Sequence, residues 1–222
     1  MNMIASELIS YDIPSLKLSD TGNKALDWME EFKTTELPIV KDGKYLGLIS
    51  ESNLLDSNNV DGVIESFRFN LLKPFVQDNQ HMFEVVSTMV ENDIDVLPVV
   101  NSSDQYLGVI TSKIIVNSLS KVVSIANAGS ILTLEVNVKD YSLSEIARMV
   151  ESDDAKVLAS FITSHPDSTK LEVTLKINKT EISRILHTFE RFNYVVLASY
   201  NESEYHENLQ NKYDEFMRFL NP

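Results

Sequence analysis

One stretch of about fifteen residues occurs twice in this chain, and it constrains the fold more than any other feature. Residues 37–50 read LPIVKDGKYLGLIS, and residues 97–111 read LPVVNSSDQYLGVIT. In each copy two apolar runs flank a short polar turn, which is typical of a β-hairpin. A repeat at this spacing indicates two copies of one supersecondary unit in tandem.

Each predicted hairpin lies between two helical patterns. The upstream patterns place apolar residues on one helix face, at Ala25, Leu26, Met29 and Phe32 in the first copy and at Val85, Val86, Met89 and Val90 in the second. A short helix is predicted after each hairpin, with Ser50 or Thr111 as its N-cap, because a hydroxyl there accepts a hydrogen bond from the first helical turn.

The repeated unit resembles a CBS domain. The resemblance rests on the order helix, Leu-Pro strand, turn, and Tyr-Leu-Gly strand ending in Ser or Thr. Two units in tandem are similar to the pseudo-symmetric pair called a Bateman module. The resemblance implies β-α-β-β-α repeats, an α/β arrangement, with CBS domain 1 at residues 1–60 and CBS domain 2 at residues 61–124.

The pattern changes from residue 128 onward. Strands are predicted over residues 131–138, 157–163, 171–177 and 194–200, and helices over residues 144–151 and 180–192. The order β-α-β-β-α-β is the ferredoxin-like split βαβ, an α+β fold. In this position it resembles an ACT domain, predicted over residues 128–201, and the whole arrangement resembles acetoin-utilisation-type CBS/ACT regulatory proteins.

Two features of this last part bear on its role. The turn at residues 140–143 (DYSL) has no glycine, whereas ACT domains that bind amino acids usually have one there, so the residues favour dimerisation over amino-acid binding. Residues 202–222 are predicted to form a C-terminal amphipathic helix that docks on its own chain or on a second subunit. Its apolar residues recur at steps of three or four, at Tyr205, Leu209, Tyr213, Phe216, Met217 and Leu220.

Composition excludes several classes of function. The net charge is −14, with 8 basic and 18 acidic side chains in the first 120 residues, and no basic run is present. Such a charge repels nucleic acid. The chain has no cysteine and no apolar run long enough for a membrane span. We therefore expect a cytoplasmic protein with no nucleic-acid or membrane partner.

The sequence offers no constellation typical of an enzyme or a metal site. The six glycines form no dinucleotide-binding, P-loop or serine-hydrolase motif. The four histidines occur singly, without the spacing of metal ligands. We therefore expect a non-catalytic protein without a metal site and without a required cofactor.

The resemblance also implies a ligand site. In CBS pairs the cleft between the domains commonly binds adenosine derivatives: a Ser or Thr after the last strand meets the phosphate, and an Asp three residues later meets the ribose. Here Ser50 and Thr111 take the first position, but Asn53 and Ile114 take the second. Asn53 can still accept a hydrogen bond through its amide oxygen, whereas Ile114 cannot. We therefore expect at most one such site, formed by Ser50, Ser52 and Asn53, with Thr35, Glu36 and Leu37 near the base. The candidate ligand-binding residues are Thr35, Glu36, Leu37, Pro38, Ser50, Ser52, Asn53, Val96, Leu97, Pro98, Thr111 and Lys113.

Two functions remain open at this point. One is a regulatory sensor, expected as a homodimer with an unidentified protein partner, whose CBS pair binds AMP, ADP, ATP or a related adenosine derivative, with or without Mg. The alternative is a dimerisation or interaction module with degenerate pockets that bind nothing. In that reading Ser50 and Thr111 serve only as helix caps.

Overall fold

The computed structural model describes residues 3–57, 59–164 and 169–201. It divides into two compact units, unit 1 at Met1–Ser118 and unit 2 at Leu119–Pro222. None of the helices in these three described ranges is long and apolar enough to span a bilayer. The segment 202–222, predicted as an amphipathic helix, lies outside the described residues.

Unit 1 contains both copies of the repeat. The first comprises helix α1 (Gly22–Phe32), strands β1 (Glu36–Lys41) and β2 (Lys44–Ser50), and helix α2 (Glu51–Asp56). The second comprises strand β3 (Val76–Gln77), helix α3 (Met82–Asn92), strands β4 (Val96–Val100) and β5 (Tyr106–Thr111), and helix α4 (Ser112–Val122). Both hairpins and all four helices occur where the sequence predicts them.

Helices α1 and α3 begin and end in matching ways. Thr21 caps α1 through its side chain, and His81 caps α3 in a capping box with Glu84. Lys33 and Asp93 end the two helices in the left-handed conformation, which satisfies the last carbonyl groups. The two helices therefore have the same length, and each leads into its Leu-Pro strand in the same conformation.

The segment that precedes each repeat packs against the other repeat. In the second repeat, the carbonyl of Val109 on β5 accepts a hydrogen bond from the backbone N–H of Ser10, at 2.7 Å. In the first, the N–H of Leu48 on β2 donates to the carbonyl of Leu72, at 2.9 Å. Each hairpin thus gains a bridge to a chain segment that precedes the opposite repeat.

This exchange explains the glycine in both Tyr-Leu-Gly motifs. A Cβ atom on Gly47 would lie 2.8 Å from Cβ of Leu71, and one on Gly108 would lie 2.5 Å from Cγ2 of Ile9. Gly108 also has a φ of +149°, which residues with a Cβ rarely adopt. Glycine is therefore needed at both positions so that the exchanged segments can lie against the hairpins.

Unit 2 is a four-stranded antiparallel sheet with two helices. Its elements are β6 (Ser130–Asn137), α5 (Leu143–Glu151), β7 (Val157–Ser164), β8 (Lys170–Ile177), α6 (Ser183–Arg191) and β9 (Val195–Asn201). The strand order is β7-β8-β6-β9. This is the predicted ferredoxin-like topology, and alternate residues of β6 and β8 meet both helices in one core around Phe189.

Helix α6 begins later than its apolar pattern predicts. The predicted range was 180–192, but the helix starts at Ser183. Ile182 adopts a non-helical conformation, and the Glu181 side chain accepts a hydrogen bond from the N–H of Ser183, at 3.0 Å. Ile182 is nevertheless 1% exposed, so it belongs to the core without belonging to the helix.

Candidate functional site

A cleft of about 510 Å³ lies between the two repeats of unit 1. Three parts of the chain line it: the exchanged segment ahead of the first repeat, the end of α1 with the residues that follow, and the start of β4 and α4. The lining residues are Ser10, Asp12, Ile13, Phe32, Lys33, Thr34, Thr35, Asp95, Val96, Thr111, Ser112, Lys113, Ile114 and Asn117.

The start of helix α4 forms one wall of the cleft. Thr111 directly precedes the helix, and its hydroxyl accepts a hydrogen bond from the N–H of Ile114, at 3.3 Å. The N–H of Ser112 donates to the carbonyl of Asp95, at 3.0 Å. Lys113 is exposed in the first turn. The partial positive charge of the helix start and the ammonium group favour an anion on this side.

The opposite wall comes from the first repeat and from the segment ahead of it. Thr34 donates through its hydroxyl to the carbonyl of Glu36, at 3.2 Å. The carbonyl of Thr35 accepts from the N–H of Glu51, at 2.9 Å. Asp12 is held by the hydroxyl of Ser10, which donates to its carboxylate at 3.0 Å. This wall therefore presents hydrogen-bonding groups in fixed positions.

The cleft combines charges of both signs with apolar side chains. Lys33 and Lys113 are its cations, and Asp12 and Asp95 are its carboxylates. Ile13, Phe32, Val96 and Ile114 provide apolar surface. A lining of this kind suits a small molecule with an anionic end and a flat apolar part. In the described ranges, no three or more His, Asp or Glu side chains form a group that could hold a metal ion.

Comparison with known proteins identifies the repeats. The sequence model of the CBS domain family matches residues 5–58 and 73–121.

These two stretches are a tandem pair of CBS domains.

Solved structures with a similar fold extend over about half of this chain. A CBS domain pair/ACT domain protein from Thermotoga maritima is 21% identical, with 54% of this chain and 98% of that chain covered and a TM-score of 0.49. CBSX2 in complex with AMP is 20% identical, with coverage of 53% and 96% and a TM-score of 0.47. The cytosolic domain of the Mg2+ channel MgtE in complex with ATP is 18% identical, with coverage of 53% and 49% and a TM-score of 0.46.

CBS domains are in general regulatory rather than catalytic modules, which agrees with the lack of an enzyme motif in the sequence. Of the residues predicted for ligand binding, the structure brings Thr35, Val96, Thr111 and Lys113 together in the cleft of the CBS pair. They come from both domains, Thr35 from the first and the other three from the second.

The Leu-Pro side chains have a different role. Leu37 and Leu97 are fully buried, and Pro38 and Pro98 are buried beside them in β1 and β4. Their side chains form the cores of the two domains and do not line the cleft. Any ligand contact at the Leu-Pro steps is therefore limited to backbone atoms.

Glu36 joins the two CBS domains. It is 8% exposed, and its carboxylate accepts a hydrogen bond from the N–H of Asp95, at 3.3 Å. Burial raises the pKa of this carboxyl above its ordinary value, and the nearby charges of Asp95 and Asp93 raise it further. The side chain therefore acts in the contact between the domains.

Hydrogen bonds at the start of α2 join Ser50, Ser52 and Asn53 to one another. The Ser50 hydroxyl accepts from the N–H of Asn53, and the Asn53 side chain accepts from the N–H of Ser50, both at 3.2 Å. The hydroxyls of Ser50 and Ser52 are 2.8 Å apart. This capping box already uses the groups predicted to meet phosphate and ribose, so ligand binding by them stays a prediction.

Apart from Ile114, which takes the ribose position of the second copy, the sequence did not indicate the remaining residues of the cleft. Asp95 follows Thr35 by 60 residues, which is the repeat offset, so the symmetry of the pair could have predicted it. Ser10, Asp12 and Ile13 carry no such signal, because they reach the cleft only through the exchange of segments.

Unit 2 has a cavity of its own, of about 410 Å³. It lies at the turn after β6, and its charged residues are Glu135, Asp140, Glu145 and Lys170. Lys170 forms a salt bridge with Glu135, at 2.5 Å. The cavity is thus mainly acidic, which does not suit the carboxylate of an amino acid.

Proposed function

We propose that the CBS pair is a regulatory module that binds an adenosine-type nucleotide in the cleft between its domains. On binding, the module changes the contacts of this protein with a second copy or with a protein partner. The observation that carries the proposal is the cleft itself, in which hydroxyls and ammonium groups of both domains face one space that also has apolar walls.

The arrangement of the cleft favours one orientation of the nucleotide. The phosphate would lie at the start of α4, near Thr111 and Lys113, because the helix start and the ammonium group attract an anion. The adenine would lie against the apolar side chains of Ile13 and Phe32. The carboxylates of Asp12 and Asp95 could then accept hydrogen bonds from the amino or hydroxyl groups of the ligand.

Regulation requires that the nucleotide bind two states of the protein with different affinities. The cleft supports such a difference because its walls belong to two domains, so a ligand that contacts both favours one arrangement of them. The readout would be a change in dimerisation or in binding to a partner.

The first test is calorimetric titration and thermal unfolding of the full chain with AMP, ADP and ATP, each with and without Mg²⁺. A ligand that binds only the native state stabilises it by about 2.7 kcal/mol at a hundredfold excess over its Kd. In a protein of this size, that raises the Tm by about 5 °C or more. No binding to any of the three would overturn the proposal.

A pair of variants locates the site. Lys113→Ala is expected to weaken binding roughly tenfold, because a hydrogen bond to a charged group contributes about 1.5–3 kcal/mol. Lys121→Ala is the matched control, since Lys121 is exposed on the same helix and does not line the cleft. Asn53→Ala tests the other location: a loss of affinity there would place the nucleotide at α2.

The alternative function is an interaction module that binds no nucleotide. It is favoured by the side chains at the ribose position, since neither Asn53 nor Ile114 is a carboxylate. It is also favoured by the exposed apolar residues on α3 and α4, where Phe83, Val90 and Val116 are 62%, 74% and 64% exposed. Sedimentation of the nucleotide-free protein as a stable dimer, together with no ligand binding, would support this alternative.

A further inference from the structure

The cleft at the start of α4 has a counterpart at the start of α2, because each residue of one repeat has an equivalent in the other, 60 or 61 positions away. We call this counterpart the related position. Its residues are Glu36, Ser50, Glu51, Ser52, Asp56 and Asp93.

The backbone is arranged in the same way at both places. In the cleft, the N–H of Ser112 donates to the carbonyl of Asp95, at 3.0 Å. At the related position, the equivalent N–H of Glu51 donates to the carbonyl of Thr35, at 2.9 Å. The chain passes from strand to helix through the same hydrogen bond in both, so the two places differ chiefly in their side chains.

The side chains give the two places different charges. The cleft has Lys33, Val96, Ser112, Lys113 and Asn117 among its lining residues. The equivalents of these five at the related position are, in the same order, Asp93, Glu36, Glu51, Ser52 and Asp56. Four of the five equivalents are carboxylates and none is a cation, whereas in the cleft two ammonium groups balance the carboxylates of Asp12 and Asp95.

The carboxylates near Glu36 act on one another. Glu36 is 8% exposed and accepts a hydrogen bond from the N–H of Asp95, at 3.3 Å. Its pKa is raised by burial first, and then by the negative charges of Asp95 and Asp93. A phosphate placed here would meet the same negative charges without an ammonium group to offset them.

We infer that the CBS pair binds one adenosine-type nucleotide per chain, in the cleft, and that the carboxylates of the related position exclude a second. The inference rests on the proposed function and adds the number and location of the ligand. Lys33 and Lys113 then decide which of two places with similar backbones takes the nucleotide, and the repulsion at the other place adds to this selectivity. The sequence motif alone favours the opposite place, because Asn53 keeps an acceptor that Ile114 lacks.

The test is calorimetric titration of the full chain with AMP, ADP and ATP, which gives the number of sites as well as the affinity. We expect one nucleotide per chain. Lys33→Asp should weaken binding at least tenfold, and Asp93→Lys, the reverse exchange, should leave the affinity equal or higher. Lys33 and Asp93 are both exposed and have φ values of 55° and 52°, so each position tolerates the side chain of the other.

Two further variants make the test independent of one substitution. Lys113→Ser places in the cleft the residue found at the related position, and it should weaken binding about tenfold. Ser52→Lys combined with Asp93→Lys moves both ammonium groups to the related position, and it should admit a second, weaker nucleotide. Thermal unfolding confirms that each variant is folded before titration.

Two nucleotides per unchanged chain would overturn the inference but leave the proposed function standing. The same holds if neither Lys33→Asp nor Lys113→Ser weakens binding. A Ser52→Lys, Asp93→Lys double variant that still binds one nucleotide would show that charge does not exclude the second, and it would also overturn the inference. No binding of AMP, ADP or ATP to the unchanged chain would overturn the proposed function and the inference together.

Discussion

The N–H of Asp95 in the second CBS domain donates to the buried carboxylate of Glu36 in the first, at 3.3 Å. The two residues occupy neighbouring positions in their repeats, since Glu36 directly precedes the first Leu-Pro step and Asp95 stands two residues before the second. Val96 occupies the position in the second repeat that Glu36 occupies in the first. The second domain therefore has no carboxylate there that could form the reverse hydrogen bond. This hydrogen bond between the domains therefore depends on one carboxylate.

Removing that acceptor should destabilise unit 1. Glu36→Ala leaves the N–H of Asp95 without its partner in a partly buried contact, so we expect a loss of about 1 kcal/mol in the free energy of unfolding. Glu36→Gln keeps an acceptor oxygen and is the control, with a smaller loss or none. Urea unfolding measures both. Equal losses in the two variants would mean that the charge, and not the hydrogen bond, matters.

The same residue predicts a pH dependence. Because burial raises the pKa of Glu36 in the folded state, the folded protein holds its proton more tightly than the unfolded chain does. The stability of the native protein relative to Glu36→Gln should therefore fall as the pH rises from about 4.5, the ordinary pKa, through the raised value. Urea unfolding at a series of pH values checks this, and a constant difference would contradict it.

The capping box at α2 predicts that Ser50 contributes more to stability than Ser52 does. Ser50→Ala removes the hydroxyl that accepts from Asn53, so it should cost about 1 kcal/mol of stability. Ser52→Ala leaves both hydrogen bonds of the box in place and should cost less. Thermal unfolding compares the two. If Ser52→Ala costs as much as Ser50→Ala, the box does not explain the role of Ser50.

The close contact at Gly108 predicts a stability cost in unit 1. Gly108→Ala forces a methyl group against Ile9 and the carbonyl of Ser10, and overpacking of this kind costs about 1–3 kcal/mol. Gly43→Asn is the control, because Gly43 lies in an open turn at φ +75°, which asparagine tolerates. Chemical unfolding should separate them clearly. Similar costs would mean that backbone conformation dominates over the contact.

The core of unit 2 predicts a larger loss of stability than the substitutions in unit 1. Phe189 is fully buried between the sheet and α5, so Phe189→Ala should cost about 3–5 kcal/mol. Phe192, three residues later, is 50% exposed, and Phe192→Ala should cost much less. Calorimetry of both variants tests the difference. A comparable loss from Phe192→Ala would show that the core extends to the end of α6.

Local signals predicted most of the fold. The Leu-Pro and Tyr-Leu-Gly motifs defined both hairpins, because apolar runs around a polar turn have few other solutions. The caps at Ser50 and Thr111 were also predicted, since a hydroxyl before a helix has a well-defined local role. Periodicity placed α6 three residues too early, because Ile182 is buried without being helical.

The cleft could be predicted only in part. Thr35, Val96, Thr111 and Lys113 follow from the repeat and from the family resemblance. Asp12 and Ile13 do not, because they come from a segment whose position depends on long-range hydrogen bonds such as the one between Ser10 and Val109. No local pattern records which hairpin such a segment joins.

The exchange of leading segments has a consequence for how the CBS pair can be divided. If the chain were cut between the two repeats, the first fragment would carry residues 3–10 but would lack β5, the strand to which they bridge. The second fragment would carry β5 without that leading segment. Mixed together, the two fragments should reassemble, as the halves of a split reporter do. At high concentration, the same geometry gives two intact chains a route to domain swapping, with each chain lending its leading segment to the other.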